Sequence, residues 1–371
     1  MDDQTTLRPD AVFDPQTVAG RTLSRDLRRA HRSIRSATDA AGLQLATGEI
    51  QALVHRAVHQ VAPEPLTRFI STLNDQLTRR VIELTCADTH VQGVRWCWIA
   101  LGSEGRQEQT LSSDQDNGII FAGSGSGSAA ALRKRLLPMA LRMNEALDAC
   151  GFPLCTGQIM ASNPHWCLDL HEWRQRFASW IIEGDPQALL NASIFFDLRP
   201  LYGAVDLART LTDWLADNAS DNPRFLFQMT ENALRRKAPL GVIRDFILEK
   251  EGKFAGSIDL KLHAATLFVD AARIYGLACG ARASNTAGRL RLAGAALRLN
   301  QRDVHAWIGA FYFIQMLRMK NQQRCYERGL AMHNHVYPNE LSAQERRGLR
   351  SALRQARALQ KRLTLDYPGT G

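Results

Sequence analysis

The stretch Leu101-Gly-Ser-Glu-Gly-Arg-Gln-Glu-Gln-Thr-Leu-Ser-Ser-Asp-Gln-Asp-Asn-Gly-Ile-Ile-Phe121 places a polar segment between two apolar ones. Residues 95–101 alternate and are rich in aromatics, which predicts a strand, and residues 117–121 predict a second strand. Because side chains two apart in an extended chain point to the same face, Asp114 and Asp116 should present two carboxylates side by side. Such a pair favours a hard divalent cation, Mg²⁺ with Mn²⁺ as the alternative.

The other end of this stretch suggests a phosphate contact. Gly102 and Ser103 form a turn whose backbone can approach a ligand closely and bind phosphate through amides and a hydroxyl. Together with the carboxylate pair, this turn indicates phosphoryl chemistry. Ser-Asp and Asp-Asn dipeptides are also common turn formers, so an isolated Ser-Asp-x-Asp would be consistent with an ordinary loop.

The composition is that of a globular protein. The chain has 371 residues, of which 45% are apolar and 22% charged, enough for two or three domains with a sizeable core. No uncharged apolar run reaches membrane-spanning length, and the N-terminus lacks the basic-then-apolar order of a signal peptide. We therefore expect a cytoplasmic protein that does not engage a membrane. Seven scattered cysteines without a C-x-x-C pair predict reduced thiols.

The net charge of +9 is concentrated in two segments. Each segment could bind RNA, anionic lipid or an acidic partner, but a solvated helix face is the favoured interpretation. No aromatic residue interleaves with either segment, which disfavours single-stranded RNA. The residues are Arg21, Arg25, Arg28, Arg29, Arg32 and Arg35 in the first segment, and Arg346, Arg347, Arg350, Arg354, Arg357, Lys361 and Arg362 in the second.

Hydrophobic periodicity predicts an α+β protein built around a small mixed sheet. We expect a mobile terminus over 1–20, a helical module over 21–90, a core with the strands over 91–184, and a helical domain over 185–371. A third strand is predicted over 154–160. From Asp169 onward the pattern is almost wholly helical, with helices predicted over 170–183, 186–198, 204–218, 223–237, 262–279, 286–298, 303–320 and 342–364.

The central motif resembles a known signature. Written as G-S-x-x-R-x-E-x-x-x-x-S-D-x-D, it is similar to that of polymerase-beta-type nucleotidyltransferases, and more closely to that of bacterial protein-PII uridylyltransferases and their uncharacterised relatives. Its positions are Gly102, Ser103, Arg106, Glu108, Ser113, Asp114 and Asp116.

The similarity extends over most of 60–365. It continues through Gly151-Phe-Pro-Leu-Cys-Thr-Gly-Gln-Ile-Met-Ala-Ser-Asn-Pro-His-Trp166, and then through 196–202, 258–261 and 283–290. The last three segments resemble parts of the substrate-binding domain of these relatives. The resemblance implies a nucleotidyltransferase core of polymerase-beta type, with a helical module before it and an all-helical domain after it.

The resemblance also implies roles for the motif residues. Asp114 and Asp116 would ligate Mg²⁺, and Gly102 and Ser103 would contact the β- and γ-phosphates of a nucleoside triphosphate. The metal would hold the triphosphate and activate an acceptor hydroxyl for attack at the α-phosphorus. The nucleotide-binding set implied by the resemblance also includes Arg106, Glu108 and Ser113. Within it, Arg106 would neutralise the departing pyrophosphate or pair with Glu108 to brace the turn, and Ser113 would cap or orient the aspartate loop.

One departure leaves alternatives open. Related enzymes add a third carboxylate on a neighbouring strand, whereas residues 154–160 contain none, and Asp169 and Glu172 follow a turn. The leading hypothesis is transfer of UMP or AMP to a hydroxyl, expected to be that of a protein. The alternatives are a signalling module that binds nucleotide without turnover and docks a partner through its C-terminal helices, and RNA-directed transfer.

Overall fold

The computed structural model describes residues 16–87, 91, 93–123, 129–241 and 246–368. The chain divides into two compact units. The first comprises Met1–Arg176 and Asp197–Leu211, and the second comprises Phe177–Phe196 and Thr212–Gly371. Most of the predicted mobile terminus lies outside the described residues, and helix α1 already begins at Val18, inside the predicted range.

A four-stranded sheet forms the centre of the first unit, which confirms the α+β class. Its strands are β1 (Trp96–Ala100), β2 (Asn117–Phe121), β3 (Cys167–Asp169) and β4 (Arg199–Gly203). The order is β3-β2-β1-β4, with β2 and β4 antiparallel to β1 and β3 parallel to β2, so the sheet is mixed as predicted. Every residue of β1 and β2 is buried, so both faces of these strands are covered by other parts of the unit.

The predicted helical module is present within the first unit. The helices that lie wholly in this unit are α1 (Val18–Ser36), α2 (Ala40–Ala57), α3 (Pro63–Ala87), the single turn α4 (Gly102–Gly105) and α5 (Ala129–Ala149). Along α1, the apolar stripe of Leu23, Leu27 and Ile34 is buried. The six arginines of this segment are all exposed, because helical periodicity puts them on the opposite side.

The predicted third strand over 154–160 is wrong. A turn interrupts this segment: Gln158 N–H donates to Cys155 O at 2.9 Å, and Gln158 has a φ of +57°. The segment still lines the start of β2, because Pro153 O and Ile159 O accept hydrogen bonds from Gln115 and Asn117. The strand that pairs with β2 in the sheet is Cys167–Asp169 instead.

The almost wholly helical region predicted after Asp169 also contains a strand, β4, which falls in the gap between the helices predicted over 186–198 and 204–218. Residues 199–203 pair with β1 at the edge of the sheet. Proline disfavours helical backbone at the residue before it, and it is tolerated on edge strands because it lacks an N–H. The register of β4 against β1 shifts next to the pair of Ile99 and Pro200, as expected for an edge strand that contains proline.

The second unit is mainly helical. Local caps explain why several helix starts agree with the prediction: Asp185 and Asn222 each cap a helix that has proline at its first position. No helix within the described ranges is long and apolar enough to cross a membrane. The remaining elements are α6 (Leu170–Glu183) and α8 (Val205–Ser220), which run across the division, and α7 (Pro186–Phe195), α9 (Pro223–Leu234), β5 (Ile258–Asp259), a π-helical turn (Lys261–Ala265), α10 (Thr266–Ala278), α11 (Thr286–Ala296), α12 (Gln301–Glu327), β6 (His335–Val336) and α13 (Ala343–Asp366).

Candidate active site

The two ends of the motif meet in the first unit. Directly after β1, Leu101 N–H donates to Asp116 O at 2.8 Å. Gly102 follows with a φ of +50°, and a β-carbon placed on it would lie 2.6 Å from Asp116 Oδ2. Glycine is therefore needed both for the backbone conformation and for the space. As a result, the turn of α4 packs against the carboxylate of Asp116.

A buried amide network orients the aspartate loop. Asn144 Nδ2 donates to Gln115 Oε1 at 2.7 Å and to Asn117 Oδ1 at 3.0 Å. Gln115 Nε2 donates in turn to the backbone carbonyls of Asn144 and Phe152. Alternate side chains of an extended chain point to opposite faces. Since the side chains of Gln115 and Asn117 point into the interior, the side chain of Asp116 between them points to the opposite face.

The two aspartates differ in exposure. Asp114 is exposed, and Asp116 is partly buried. The thiol of Cys155 donates to Asp116 Oδ1 at 3.5 Å, and burial raises the pKa of this thiol, so Cys155 stays protonated. Asp116 is therefore held on two sides, by Cys155 and by the Gly102 turn, whereas Asp114 is open to solvent.

Ser113 lies in a short hydrogen-bonded loop before the aspartates. Thr110 N–H donates to Ser113 Oγ at 3.3 Å, and Thr110 Oγ1 donates to Ser112 O at 3.2 Å. These contacts show how Ser113 can orient the loop. Its contact with a nucleotide stays a prediction.

Arg106 joins two buried carboxylates. Its Nε donates to Glu108 Oε2 at 2.8 Å, and its guanidinium also donates to Asp197 Oδ2 at 2.6 Å. The side chains of Glu108 and Asp197 are only 2% and 0% exposed. Two roles were left open for Arg106. This geometry supports the role in which Arg106 braces the turn, because its guanidinium group already pairs with two carboxylates.

Asp197 is a residue that the motif did not reveal. It begins the segment that returns to the first unit as β4, and its backbone as well as its side chain contacts the turn. A β-carbon on Gly105 would overlap the backbone oxygen of Asp197. Glycine is thus required at position 105 because the backbone of Asp197 passes close to it, and a contact between residues so far apart in sequence cannot be read from a local pattern.

Glu104 is a second unanticipated residue. Its pKa is raised to about 8, chiefly by burial and also by the neighbouring carboxylates of Asp75 and Asp116, while Arg199 opposes the shift. Arg199 donates to Asp75 Oδ1 at 2.8 Å and to Glu104 O at 3.1 Å, which ties the turn to α3. The sequence feature that could have pointed to Glu104 is an acidic residue in a short turn between Gly102 and Gly105.

The two acidic residues considered as a third carboxylate lie elsewhere. Asp169 pairs with Phe121 at the end of β2 farthest from Asp116. Glu172 accepts hydrogen bonds from Arg133 and from Asp169 N–H. Both are therefore part of the β3–α6 junction, away from the aspartate loop.

The donor set of the aspartate pair fits Mg²⁺. Within the described ranges, no cluster of three or more His, Cys, Asp or Glu residues could hold a metal ion by itself. Magnesium is commonly bound through one or two carboxylates while substrate phosphates and waters complete its shell. Asp114 and Asp116 would supply those carboxylates to a metal that arrives with a triphosphate.

The small mixed sheet, with a Gly-Ser turn packed against an Asp-x-Asp loop, agrees with the nucleotidyltransferase class that the motif resembles. Residues 48–187 match the family described as "Putative nucleotidyltransferase DUF294". Residues 223–367 match the domain described as "Putative nucleotidyltransferase substrate binding domain". The two matches together span more than three quarters of the chain, which therefore belongs to this nucleotidyltransferase family. A comparison with curated proteins gave no match.

Proposed function

We propose that this protein transfers a nucleoside monophosphate from a nucleoside triphosphate to an acceptor hydroxyl, in the manner of the protein-PII uridylyltransferases. The observation that carries the proposal is the packing of Gly102 against the carboxylate of Asp116. It brings a turn suited to phosphate next to a carboxylate pair suited to Mg²⁺.

The turn would hold the triphosphate end of the nucleotide. The leading N–H groups of a helical turn have no acceptor within it, so those of Gly102 and Ser103 can point at phosphate oxygens. The positive φ of Gly102 lets the backbone approach without a side chain in the way. Ser103 is partly exposed and adds a hydroxyl at the same place.

The carboxylates of Asp114 and Asp116 would hold Mg²⁺, with Mn²⁺ as the alternative. When bound, the metal neutralises the phosphate charge and lowers the pKa of the acceptor hydroxyl. The hydroxyl oxygen would attack the α-phosphorus and lose its proton to solvent water, while the bond from the α-phosphorus to the bridging oxygen breaks and pyrophosphate leaves with that oxygen. Asp116 is held in place for this role by the turn and by Cys155, and Asp114 faces the solvent from which nucleotide and metal arrive.

The finer assignments rest on the resemblance. We propose UMP or AMP as the transferred group, a protein hydroxyl as the acceptor, and a cytoplasmic location. The name of the family matched over 223–367 supports a substrate-binding role for the helical domain. An acceptor or signalling partner would dock there.

The test is to incubate the protein with each α-labelled nucleoside triphosphate and a lysate of its own host. We expect Mg²⁺-dependent labelling of a protein band, reduced roughly a thousandfold or more by Asp116→Asn. Asp206→Asn is the matched control, because Asp206 forms an exposed ion pair with Arg95 outside the motif. Labelling by an Asp114→Asn, Asp116→Asn double variant at the wild-type rate would overturn the proposal.

A second candidate is a nucleotide-binding signalling module without turnover. The observation that favours it is the position of Asp169 at the far end of β2, since related enzymes use a carboxylate on the neighbouring strand. Calorimetric nucleotide binding with no release of pyrophosphate across several acceptors would support this candidate. Clear pyrophosphate release would exclude it.

A further inference from the structure

A cavity of about 510 Å³ lies in the N-terminal helices, between α1 and α3. None of the described residues that line it belongs to the Gly102–Asp116 motif. Its volume is in the range of small-molecule sites. The polar residues of the lining are His31, Arg35, Gln76, Arg79, Arg80 and Glu83.

The lining has more positive than negative charge. Arg35, Arg79 and Arg80 contribute three guanidinium groups. Glu83, the one carboxylate among the described lining residues, accepts a hydrogen bond from Arg80 at 2.9 Å. Arg80 is further occupied by Ala37 O. Glu83 also attracts Arg79, so a single carboxylate faces three guanidinium groups and the described lining keeps a net positive charge.

Two buried nitrogens in this lining have no partner among the described residues. They are Nε2 of His31 and Nε of Arg79, and neither is accessible to solvent. A buried polar atom without a hydrogen-bond partner is destabilising. A bound water or anion near the two side chains can supply the missing partner.

The electrostatics agree with this geometry. Burial lowers the pKa of His31, and the nearby charge of Arg35 lowers it further. Burial also lowers the pKa of Arg79, and Arg199 adds to this effect against the attraction of Asp75 and Glu83. An anion in the cavity would relieve the positive potential at both residues.

We propose that this cavity is a second binding site, which takes a small phosphate-bearing anion through Arg35, Arg79 and His31. Guanidinium groups match phosphate oxygens in geometry and charge, and they keep their charge at every physiological pH. A concave site of this size suits a free phosphate or diphosphate, or the phosphates of a nucleotide. The site is independent of the transfer chemistry proposed above.

The experiment is calorimetric titration of the full chain with pyrophosphate alone, in EDTA so that no divalent cation assists binding at the motif. We expect binding to the wild type and to Asp116→Asn alike. Arg35→Gln should weaken it about tenfold or more, because one charge-assisted contact is lost. Arg32→Gln is the matched control: it removes the same charge from an exposed residue of α1 outside the lining, and should leave the affinity unchanged.

Parallel titrations distinguish the sources of the anion. Inorganic phosphate or pyrophosphate binding as tightly as a nucleoside triphosphate supports a free inorganic ligand, whereas binding of the triphosphate alone supports a nucleotide. Arg79→Gln should weaken the binding of either kind of ligand. If the Arg79→Gln variant does not fold, the Arg35→Gln variant still tests the proposal. No binding of any of the three anions, or equal weakening by Arg32→Gln and Arg35→Gln, would overturn the proposal.

Discussion

Gly102 lies against the carboxylate of Asp116, so closely that a β-carbon on Gly102 would be 2.6 Å from Asp116 Oδ2. The contact joins the turn after β1 to the loop before β2. The antiparallel pairing of β1 and β2 places the end of β1 beside the start of β2, so the distance between Gly102 and Asp116 is determined by the sheet.

Gly102→Ala should therefore disable the site. The added methyl group displaces the Asp116 carboxylate, and alanine at a φ of +50° costs about 1 kcal/mol in backbone conformation. We expect nucleotide transfer to fall at least tenfold with a small loss of thermal stability. Assays of transfer and melting temperature check this. Gly48→Ala is the control: Gly48 is an exposed position in α2 with nothing nearby, so alanine should stabilise it by about 0.5–1 kcal/mol and leave transfer unchanged.

Arg106→Met should destabilise the first unit strongly. The substitution leaves the buried carboxylates of Glu108 and Asp197 without their shared cation, at a cost of about 3–5 kcal/mol. Urea denaturation measures the change. Arg95→Gln breaks the exposed pair with Asp206 and should cost less than about 1 kcal/mol. Similar losses for the two variants would show that Arg106 is not the brace.

Glu104→Gln should change how stability depends on pH. The pKa of Glu104 is raised from 4.5 in its ordinary state to about 8 in the folded protein, chiefly by burial. Between these values the folded state binds more protons than the unfolded state, so this group makes stability fall as pH rises from about 4.5 to about 8. We expect the melting temperature of the variant, relative to the wild type, to rise across that window. A difference that does not vary with pH would contradict the assignment.

Asn144→Ala should loosen the aspartate loop. It removes the donor shared by Gln115 and Asn117 and the acceptor of Ser162 N–H, which costs about 1–3 kcal/mol for buried groups left unpaired. Hydrogen exchange of the amides at Gln115 and Asn117 should accelerate, and transfer should decrease. Asn218→Ala, which removes a single exposed hydrogen bond to Trp214 O, is the control and should alter neither quantity.

Local patterns were sufficient for much of this protein. Alternating and apolar runs located β1 and β2, and the predicted starts of α7 and α9 agree with the capping residues that precede a proline there. The spacing of the motif was enough to identify a nucleotidyltransferase family, whose match over 48–187 contains it. These features depend on residues close together in the chain, whose conformational preferences and hydrogen bonds are settled locally.

Only the tertiary structure decided the rest. The turn at Gln158 replaced a predicted strand, and residues 199–203 joined the sheet as β4 although the surrounding pattern is helical. The pairing of Arg106 with Asp197 follows from that return of the chain to the first unit, whereas the raised pKa of Glu104 follows chiefly from its burial. The physical reason is that pairing, burial and electrostatic repulsion depend on distances between residues far apart in sequence, and those distances are set by folding.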